Sequence, residues 1–236
     1  MNQSYLIGID IGTSACKVAL FDRSGCVLAA ANGDYPVYYP KEGWAEQNPE
    51  EWWSAVCGAV RQVIEEASVA PEEIAGVGID GQSWSAIAID RNGHVLTNTP
   101  IWMDTRAQSI CDRLNEEIGA EAIFEVAGNS LQPSYATAKI LWYKENLPEV
   151  YAKIDKILQS NSFIAFKLTG AVSQDLSQGY GLHCFDMRTG KWNEAMCEKL
   201  GIPVEFLPEI VPCDHVVGTV TKKAAEECGL AEGTPV

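Results

Sequence analysis

Apolar and polar positions at the start of the chain alternate with the period of a β-sheet. An apolar run over residues 5–9 ends at Asp10. The sequence breaks at Gly-Thr-Ser (12–14) and resumes as a second apolar run over 16–21. Two short runs joined by a polar turn predict adjacent strands, and a third strand is predicted over 26–31. The start of the chain is therefore predicted to form an antiparallel meander.

Helical periodicity and short apolar runs alternate along the rest of the chain. The predicted helices cover 49–67, 106–118, 120–127, 136–146, 162–168 and 222–228. The further predicted strands cover 74–79, 86–89, 154–158 and 216–220, and another begins near 229. A strand-rich first third followed by a helix-rich remainder predicts a mixed α/β chain. A soft boundary lies near residue 100, but strand pairing across it is expected to make one domain.

The polar turn between the first two predicted strands carries groups suited to phosphate. Gly12 allows backbone N–H groups to come close to a ligand, and the hydroxyls of Thr13 and Ser14 add hydrogen-bond donors. Lys17 supplies a mobile positive charge, and Asp10 is placed to hold a hard cation such as Mg²⁺ beside that phosphate. An ordinary β-hairpin with a solvated Asp and Lys explains the turn about equally well when it is taken alone.

Two further polar clusters interrupt apolar segments farther along the chain. Gln82 and Asp104 carry groups suited to the hydroxyls of a sugar or polyol, and Trp84 or Trp102 to its C–H face. Arg106 is suited to orienting Asp104 or to binding an oxygen. The alternative is that Asp104 and Arg106 form a surface pair at a helix start, where Asp is favoured anyway.

Composition narrows the class of protein. An apolar fraction of 47% and an aromatic fraction of 9% are typical of a globular protein, and a net charge of -15 speaks against a nucleic-acid partner. No apolar run approaches membrane-spanning length and no leader is visible, which predicts a cytoplasmic protein. The eight cysteines form no close pairs and are predicted to be reduced thiols. His94, His183 and His215 are too dispersed for a metal site or triad and are predicted at turns or on the surface.

Several motifs, taken in order, resemble the N-terminal domain of FGGY-family carbohydrate kinases, with the xylulokinases as the nearest members. The motifs are Asp10-x-Gly12-Thr13-Ser14-x-x-Lys17, Gly43-Trp44-x-Glu46-Gln47-x-Pro49-x-x-Trp52-Trp53, Gly78-Ile79-Asp80-Gly81-Gln82, Trp102-x-Asp104-x-Arg106 and Leu168-Thr169-Gly170. The resemblance covers nearly the whole chain, residues 1–236. It implies an actin-like, ribonuclease-H-like α/β fold, in which a mixed sheet with flanking helices forms one lobe of a bilobal kinase.

The resemblance also implies a reaction, in which ATP with Mg²⁺ phosphorylates a hydroxyl of a small sugar. A ketopentose such as D-xylulose is the first expectation, and ribulose, another ketose or a polyol such as glycerol is the next. Carried over residue by residue, the resemblance implies phosphate binding by Gly12, Thr13, Ser14 and Lys17, a Mg²⁺-associated role for Asp10, and sugar contacts from Gln82, Ser83, Trp84, Trp102, Asp104 and Arg106.

The chain departs from the family pattern beside Gln82. Xylulokinases usually carry a His-Gly step where this chain has Trp84-Ser85. This difference weakens the expectation of D-xylulose as the substrate, and Trp84 is expected to change the shape of the pocket. Asn161-Ser162 stands where the family commonly has Asp-Tyr.

The family's general base, an Asp, is expected just beyond Val236. No catalytic residue is therefore expected within this chain, which alone is expected to turn over weakly or not at all. Its expected partners are the sugar, a C-terminal nucleotide-binding lobe and, in a homodimer, a second copy. Two alternatives stay open: a non-catalytic sugar-binding or regulatory module, and an acetate-kinase-like or chaperone-like ATPase. The ATPase reading does not explain the Trp102-x-Asp104-x-Arg106 pattern.

Overall fold

A computed structural model describes residues 4–236 of the chain. Its strands are β1 (Tyr5–Ile11), β2 (Ala15–Asp22), β3 (Val27–Asp34), β4 (Glu46–Gln47), β5 (Ile74–Gly81), β6 (Ile87–Ile89), β7 (Thr99–Pro100), β8 (Lys156–Leu158), β9 (Ser173–Asp175), β10 (Phe185–Asp186), β11 (Lys191–Trp192) and β12 (Glu209–Val211). Its α-helices are α1 (Pro49–Ala67), α2 (Gln108–Leu114), α3 (Ala120–Ala127), α4 (Ala136–Asn146), α5 (Pro148–Tyr151), α6 (Ser160–Thr169), α7 (Leu176–Gly179), α8 (Glu194–Leu200) and α9 (Lys222–Cys228). The predicted mixed α/β class is confirmed.

The largest sheet has the strand order β3-β2-β1-β5. β1, β2 and β3 pair antiparallel as the predicted meander, whereas β5 pairs parallel with β1. Parallel strands need a crossover connection between them, and α1 supplies it by packing against β2 and β3. The result is a mixed sheet with a helix on one face.

Strict alternation in β1 and β2 sends one set of side chains into the core. Ile7, Ile9 and Ile11 of β1 and Val18 and Leu20 of β2 are buried on the face that α1 covers. Because the side-chain period of a strand is two, the residues between them all lie on the opposite face. The register that buries the core therefore also decides which polar side chains share the open face.

α1 begins and ends where the sequence predicts. The side-chain oxygen of Asn48 accepts a hydrogen bond from the backbone N of Glu50 at 3.0 Å, and Pro49 occupies the first turn. Trp52 lies on the buried stripe of the helix. The helix stops at Ser68, which adopts a left-handed φ of 54°.

Two hydrophobic clusters divide the interior, and β6 joins them. The first cluster lies between the large sheet, α1, α6 and α9; the second lies among α2, α3, α4 and α8. Ile87 and Ile89 of β6 belong to the first cluster, whereas Ala86 and Ala88 belong to the second. β6 pairs with β8, so strand pairing crosses the soft boundary near residue 100, as predicted.

The C-terminal segment differs from its prediction. No regular strand forms over 216–220, where Thr219 makes only an isolated bridge to Pro235. The segment hydrogen-bonds to the last residues of the chain, because Val217 N donates to Val236 O at 2.9 Å. Pro235 O in turn accepts from Val77 N at 2.9 Å, so the end of the chain lies along the outer edge of β5.

His183 lies in a turn, one of the two places predicted for it, but it is not on the surface. Its side chain is fully buried, and Nδ1 lies 2.9 Å from the hydroxyl of Thr137. Burial lowers the pKa of His183 to about 4, so this imidazole is neutral at pH 7. All eight cysteines are free thiols. Over residues 4–236 no helix is long and apolar enough to cross a membrane.

We predict that Leu20→Ala destabilises the chain far more than Leu28→Ala. Leu20 is fully buried, whereas Leu28, in the neighbouring strand β3, keeps 44% of its surface exposed. Removing the buried side chain leaves a cavity and is expected to cost about 2–5 kcal/mol of unfolding free energy. Urea unfolding curves of the two variants measure the difference, and equal losses would mean that the face under α1 is not the packed one.

Candidate functional site

Charged side chains form a row across the open face of the large sheet. Asp10 in β1 lies in register with Lys17 in β2 on one side and with Asp80 in β5 on the other. Lys17 Nζ lies 3.7 Å from Asp10 Oδ2, and their side chains are 70% and 49% exposed. An ion pair this exposed contributes little to stability. Both charges are therefore accessible to a ligand.

The turn that follows β1 is tighter than its sequence indicates. Gly12 N donates to Ala15 O at 3.0 Å, and a Cβ at Gly12 would lie only 2.8 Å from that oxygen. Gly12 is therefore required for closing the turn, and its own N–H is not free for a ligand. Over residues 4–236 the N–H groups of Thr13 and Ser14 donate no hydrogen bond, and these are the donors that the turn offers to an anion.

The side-chain amides of two glutamines donate hydrogen bonds to backbone oxygens of the turn. Gln47, fully buried, donates to Thr13 O at 2.8 Å. Gln82 donates to Gln47 Oε1 at 2.9 Å and to Gly12 O at 3.2 Å. Gln82 Oε1 is buried without a partner within residues 4–236. Because buried acceptors are normally paired, this oxygen is a candidate contact for a ligand hydroxyl.

Trp102 brings the third polar cluster to the same place. Its indole Nε1 donates to Thr13 Oγ1 at 3.1 Å. The side chain keeps 43% of its surface exposed, which is high for so large an apolar group. The exposed ring therefore lies directly beside the polar turn.

Asp104 and Arg106 form a buried ion pair behind Trp102. Asp104 is 1% exposed, and its Oδ2 accepts from Ala45 N at 2.7 Å and from Arg106 Nη2 at 2.8 Å. Arg106 Nη2 also donates to Glu46 Oε2 at 2.8 Å, and the guanidinium carbon lies 3.8 Å from the centroid of the Trp44 ring. The alternative of a surface pair at a helix start is wrong.

The pKa of Arg106 reflects this setting. Burial acts to lower it, but hydrogen bonds to Asp104 and Glu46 outweigh burial, so the pKa lies above its ordinary value. Both oxygens of Asp104 accept hydrogen bonds from protein groups, since Oδ1 accepts from the backbone N and Nε of Arg106 at 2.9 Å each. The pair therefore lies in the interior behind Trp102, with both carboxylate oxygens already used by protein groups.

Trp84 has an unusual backbone. Its φ of 73° lies in the left-handed region, which bulky residues rarely adopt. Its backbone N donates to Gln159 Oε1 at 2.8 Å, and its ring centroid lies 4.4 Å from that of Tyr135. The indole Nε1 is buried without a partner within the described residues 4–236. Ser83, half-buried, separates this aromatic contact from Gln82.

The segment after β9, residues 176–181, contacts the site as well. Asp175 caps the short helix α7. Gln178 in α7 accepts a hydrogen bond from Gln159 Nε2 through its backbone oxygen, at 2.6 Å, and lies 3.4 Å from Gly81 O through its Nε2. The loop therefore supports the segment that carries Trp84. Across residues 4–236 no group of three or more His, Cys, Asp or Glu side chains is arranged to hold a metal ion.

Sequence reasoning missed several residues that build the site: Gln47, Tyr135, Lys139, Gln159 and Gln178. Only Lys139 left a chemical signal. It lies three positions after Ala136 and four before Tyr143, on the buried face of α4. A lysine on an apolar helix face is uncommon unless its charge has partners. The glutamines, by contrast, are ordinary in type and became recognisable only through their contacts.

Comparison with known proteins gives a consistent result. Residues 5–236 match the family model for the N-terminal domain of the FGGY family of carbohydrate kinases. The chain is 31% identical to the xylulose kinase of Bacillus subtilis, covering 98% of this chain and 46% of that protein. It is also 31% identical to the glycerol kinase of Carboxydothermus hydrogenoformans, covering 92% of this chain and 45% of that protein.

Solved structures of similar fold point the same way. The crystal structure of xylulose kinase from Rhodospirillum rubrum superposes with a TM-score of 0.93 at 27% identity, covering 98% of this chain and 48% of that one. The gluconate kinase from Lactobacillus acidophilus gives 0.91 at 27% identity, covering 98% and 46%. The chain thus spans about half the length of these relatives, and the predicted fold is confirmed.

We predict that Arg106→Leu destabilises the chain by about 3–5 kcal/mol, because the Asp104 charge would stay buried without its partner. The matched control is Arg113→Leu, which removes an exposed pair with Glu145 and is expected to cost less than about 1 kcal/mol. Urea unfolding measures both losses. A small loss in Arg106→Leu would contradict the buried ion pair.

Proposed function

Because the chain belongs to the FGGY family of carbohydrate kinases, we propose that it forms the sugar-binding part of an enzyme that transfers a phosphoryl group from ATP to a hydroxyl of a small sugar or polyol. One observation carries this proposal. The polar turn at residues 12–14 contacts the exposed ring of Trp102, because Trp102 Nε1 lies 3.1 Å from Thr13 Oγ1. Phosphoryl transfer needs donor and acceptor held within contact distance, and this arrangement favours it.

The residues at the turn fit a nucleotide phosphate with its cation. The free N–H groups of Thr13 and Ser14, together with the exposed Lys17, suit phosphate oxygens. Asp10 and Asp80, in register on neighbouring strands, supply the carboxylate oxygens that Mg²⁺ prefers. Mg²⁺, when bound, supplies neutralisation of the phosphate charge. In this proposal Asp10 holds the cation, and Asp80 adds a second carboxylate that the sequence prediction did not include.

The acceptor site lies beside Trp102. We assign its exposed ring to the C–H face of the sugar and the unpartnered Gln82 Oε1 to a sugar hydroxyl. Ser83 and Trp84 form the adjoining wall in this assignment. For Asp104 and Arg106 we propose a supporting role in place of the sugar contacts that the resemblance implies. Arg106 orients Asp104, one of the two roles expected from its residue type, and the pair fixes the segment that carries Trp102.

The substrate we propose first is a ketopentose such as D-xylulose, with a polyol such as glycerol as the second candidate. Relatives named for each substrate are equally similar to this chain, at 31% identity. The wall at Ser83 and Trp84 is where the chain departs from the family resemblance. Specificity is expected to follow that wall, because pocket shape sets which hydroxyls reach the phosphate.

Turnover is proposed for the whole enzyme and not for this chain alone. The relatives are about twice as long as the matched region, and the family resemblance implies a general base beyond Val236. We expect the isolated chain to bind sugar weakly and to release little or no ADP. Sugar binding without any response to nucleotide would instead favour the sensing module.

We predict that Trp102→Ala weakens sugar binding by about tenfold or more, whereas Trp102→Phe retains most of it because the stacking face is kept. Calorimetry with D-xylulose, L-ribulose, D-ribulose, L-xylulose, glycerol and erythritol measures the affinities. Tyr39→Ala is the control, since Tyr39 is an aromatic residue that is 65% exposed and is not among the site residues named above. Unchanged binding in Trp102→Ala would remove Trp102 from the site, and no preference for any ketopentose would remove D-xylulose as first candidate.

We predict that Lys17→Met weakens binding of MgATP by about tenfold, because one charge-assisted hydrogen bond to phosphate is lost. Lys153→Met, which removes an exposed lysine after α5, serves as the control for net charge. Equilibrium binding of a fluorescent ATP analogue in Mg²⁺ measures the effect. The same loss in both variants would mean that Lys17 acts only through overall charge.

A further inference from the structure

Lys139 is a charged group with no exposure to solvent. It lies in α4, and its side chain is fully buried. Nζ donates to three backbone oxygens: Trp84 O at 2.8 Å, Ile101 O at 2.9 Å and Ser134 O at 2.6 Å. These bonds use all three donors of an ammonium group. No carboxylate within residues 4–236 is among its hydrogen-bond partners.

The three oxygens belong to three chain segments that carry Trp84, Trp102 and Tyr135. We call these three aromatic side chains the aromatic wall. The first belongs to Trp84 itself. The second and third belong to Ile101 and Ser134, which directly precede Trp102 and Tyr135. A single ammonium group thus joins three chain segments that lie apart in the sequence.

We propose that Lys139 is a positioning residue that fixes the aromatic wall of the sugar site by holding these three carbonyl groups together. This inference rests on the proposed function for its consequence on sugar binding, but not for its geometry. Trp84 supports it independently. Its left-handed φ of 73° is costly for a bulky residue, so a specific tie is needed to hold that backbone.

The tie depends on the charge of Lys139, because a neutral amine has only two N–H donors for three acceptors. Desolvation lowers the pKa of Lys139 to about 7; Asp104 and Cys111 act to raise it, and Arg106 acts to lower it. Burial raises the pKa of Cys111 in α2 and the pKa of Tyr143, which lies four residues after Lys139 in α4. Neither group therefore titrates near pH 7. The tie is therefore expected to weaken as pH rises through about 7.

Global stability is expected to move in the opposite direction. The pKa of Lys139 is lowered from an ordinary value of 10.5, so between about pH 7 and that value the unfolded chain binds a proton that the folded chain does not. The free energy of unfolding therefore rises over this range. If the aromatic wall loosens with rising pH while the free energy of unfolding rises, the loosening is specific to the Lys139 hydrogen bonds and is not a general loosening of the structure.

The first test is an NMR titration of the 236-residue chain between pH 6 and pH 8.5, following the indole N–H signals of Trp84 and Trp102. We expect both signals to move with one midpoint near 7 and to stop titrating in Lys139→Met. Lys144→Met, an exposed lysine of the same helix, is the control and is expected to leave the titration unchanged. Signals without a shared midpoint, or a titration that survives in Lys139→Met, would overturn the proposal.

The second test measures the affinity for D-xylulose and for glycerol at pH 6 and pH 8.5. We expect wild-type affinity to fall by about tenfold at the higher pH and affinity in Lys139→Met to be low and independent of pH. Binding of either sugar that does not depend on pH in the wild type would contradict the inference. If the wild type binds neither sugar at any pH, the proposed function fails, whereas the indole titration, which needs no sugar, still decides the role of Lys139.

Discussion

The buried pair of Asp104 and Arg106 is the interaction on which the rest of the site depends. A carboxylate taken out of water has to be paired. Asp104 is paired with the nearby Arg106 and with the backbone N of Ala45, which is far away in the sequence. Closing that network fixes the segment of residues 45–47 against the segment of 102–106. Gln47, at the end of the first, then supports the turn at Thr13, and Trp102, at the start of the second, meets the hydroxyl of the same residue.

The sheet supplies the other half of the site through register alone. Burying Ile7, Ile9 and Ile11 under α1 leaves Asp10 on the opposite face, and in-register pairing then sets Lys17 and Asp80 on either side of it. No specific bond is needed to gather these charges. Their exposure follows because this face of the sheet is not covered by α1.

Local pattern predicted the elements that the chain specifies by itself. The meander, α1, α3 and α9 rest on alternation, helical spacing and caps, which are properties of neighbouring residues. The conformation of residues 216–220, which form no regular strand, depends instead on their bridge to Pro235. The burial of His183 depends on the packing of the second hydrophobic cluster. Neither is recorded in local sequence.

The candidate site shows the same division. The turn, Gln82 and Trp102 were predicted, because their residue types suit phosphate and sugar whatever surrounds them. The burial of Asp104 and Arg106 was not, since an Asp followed closely by an Arg has the same local pattern on a surface as in an interior. The free backbone donors of the turn also required the structure, because only the bond from Gly12 to Ala15 shows which N–H groups are already used.

Two parts of the candidate site are held in different ways. The polar turn, the charge row and the buried ion pair are held by backbone register and by hydrogen bonds between distant segments, so they tolerate little change. Ser83 and Trp84 are held differently: the hydrogen bonds with Gln159 and Lys139 involve only the backbone of Trp84, so they do not depend on which side chain stands there. In the function that we propose, the first group of residues carries phosphoryl transfer and the second selects the hydroxyl.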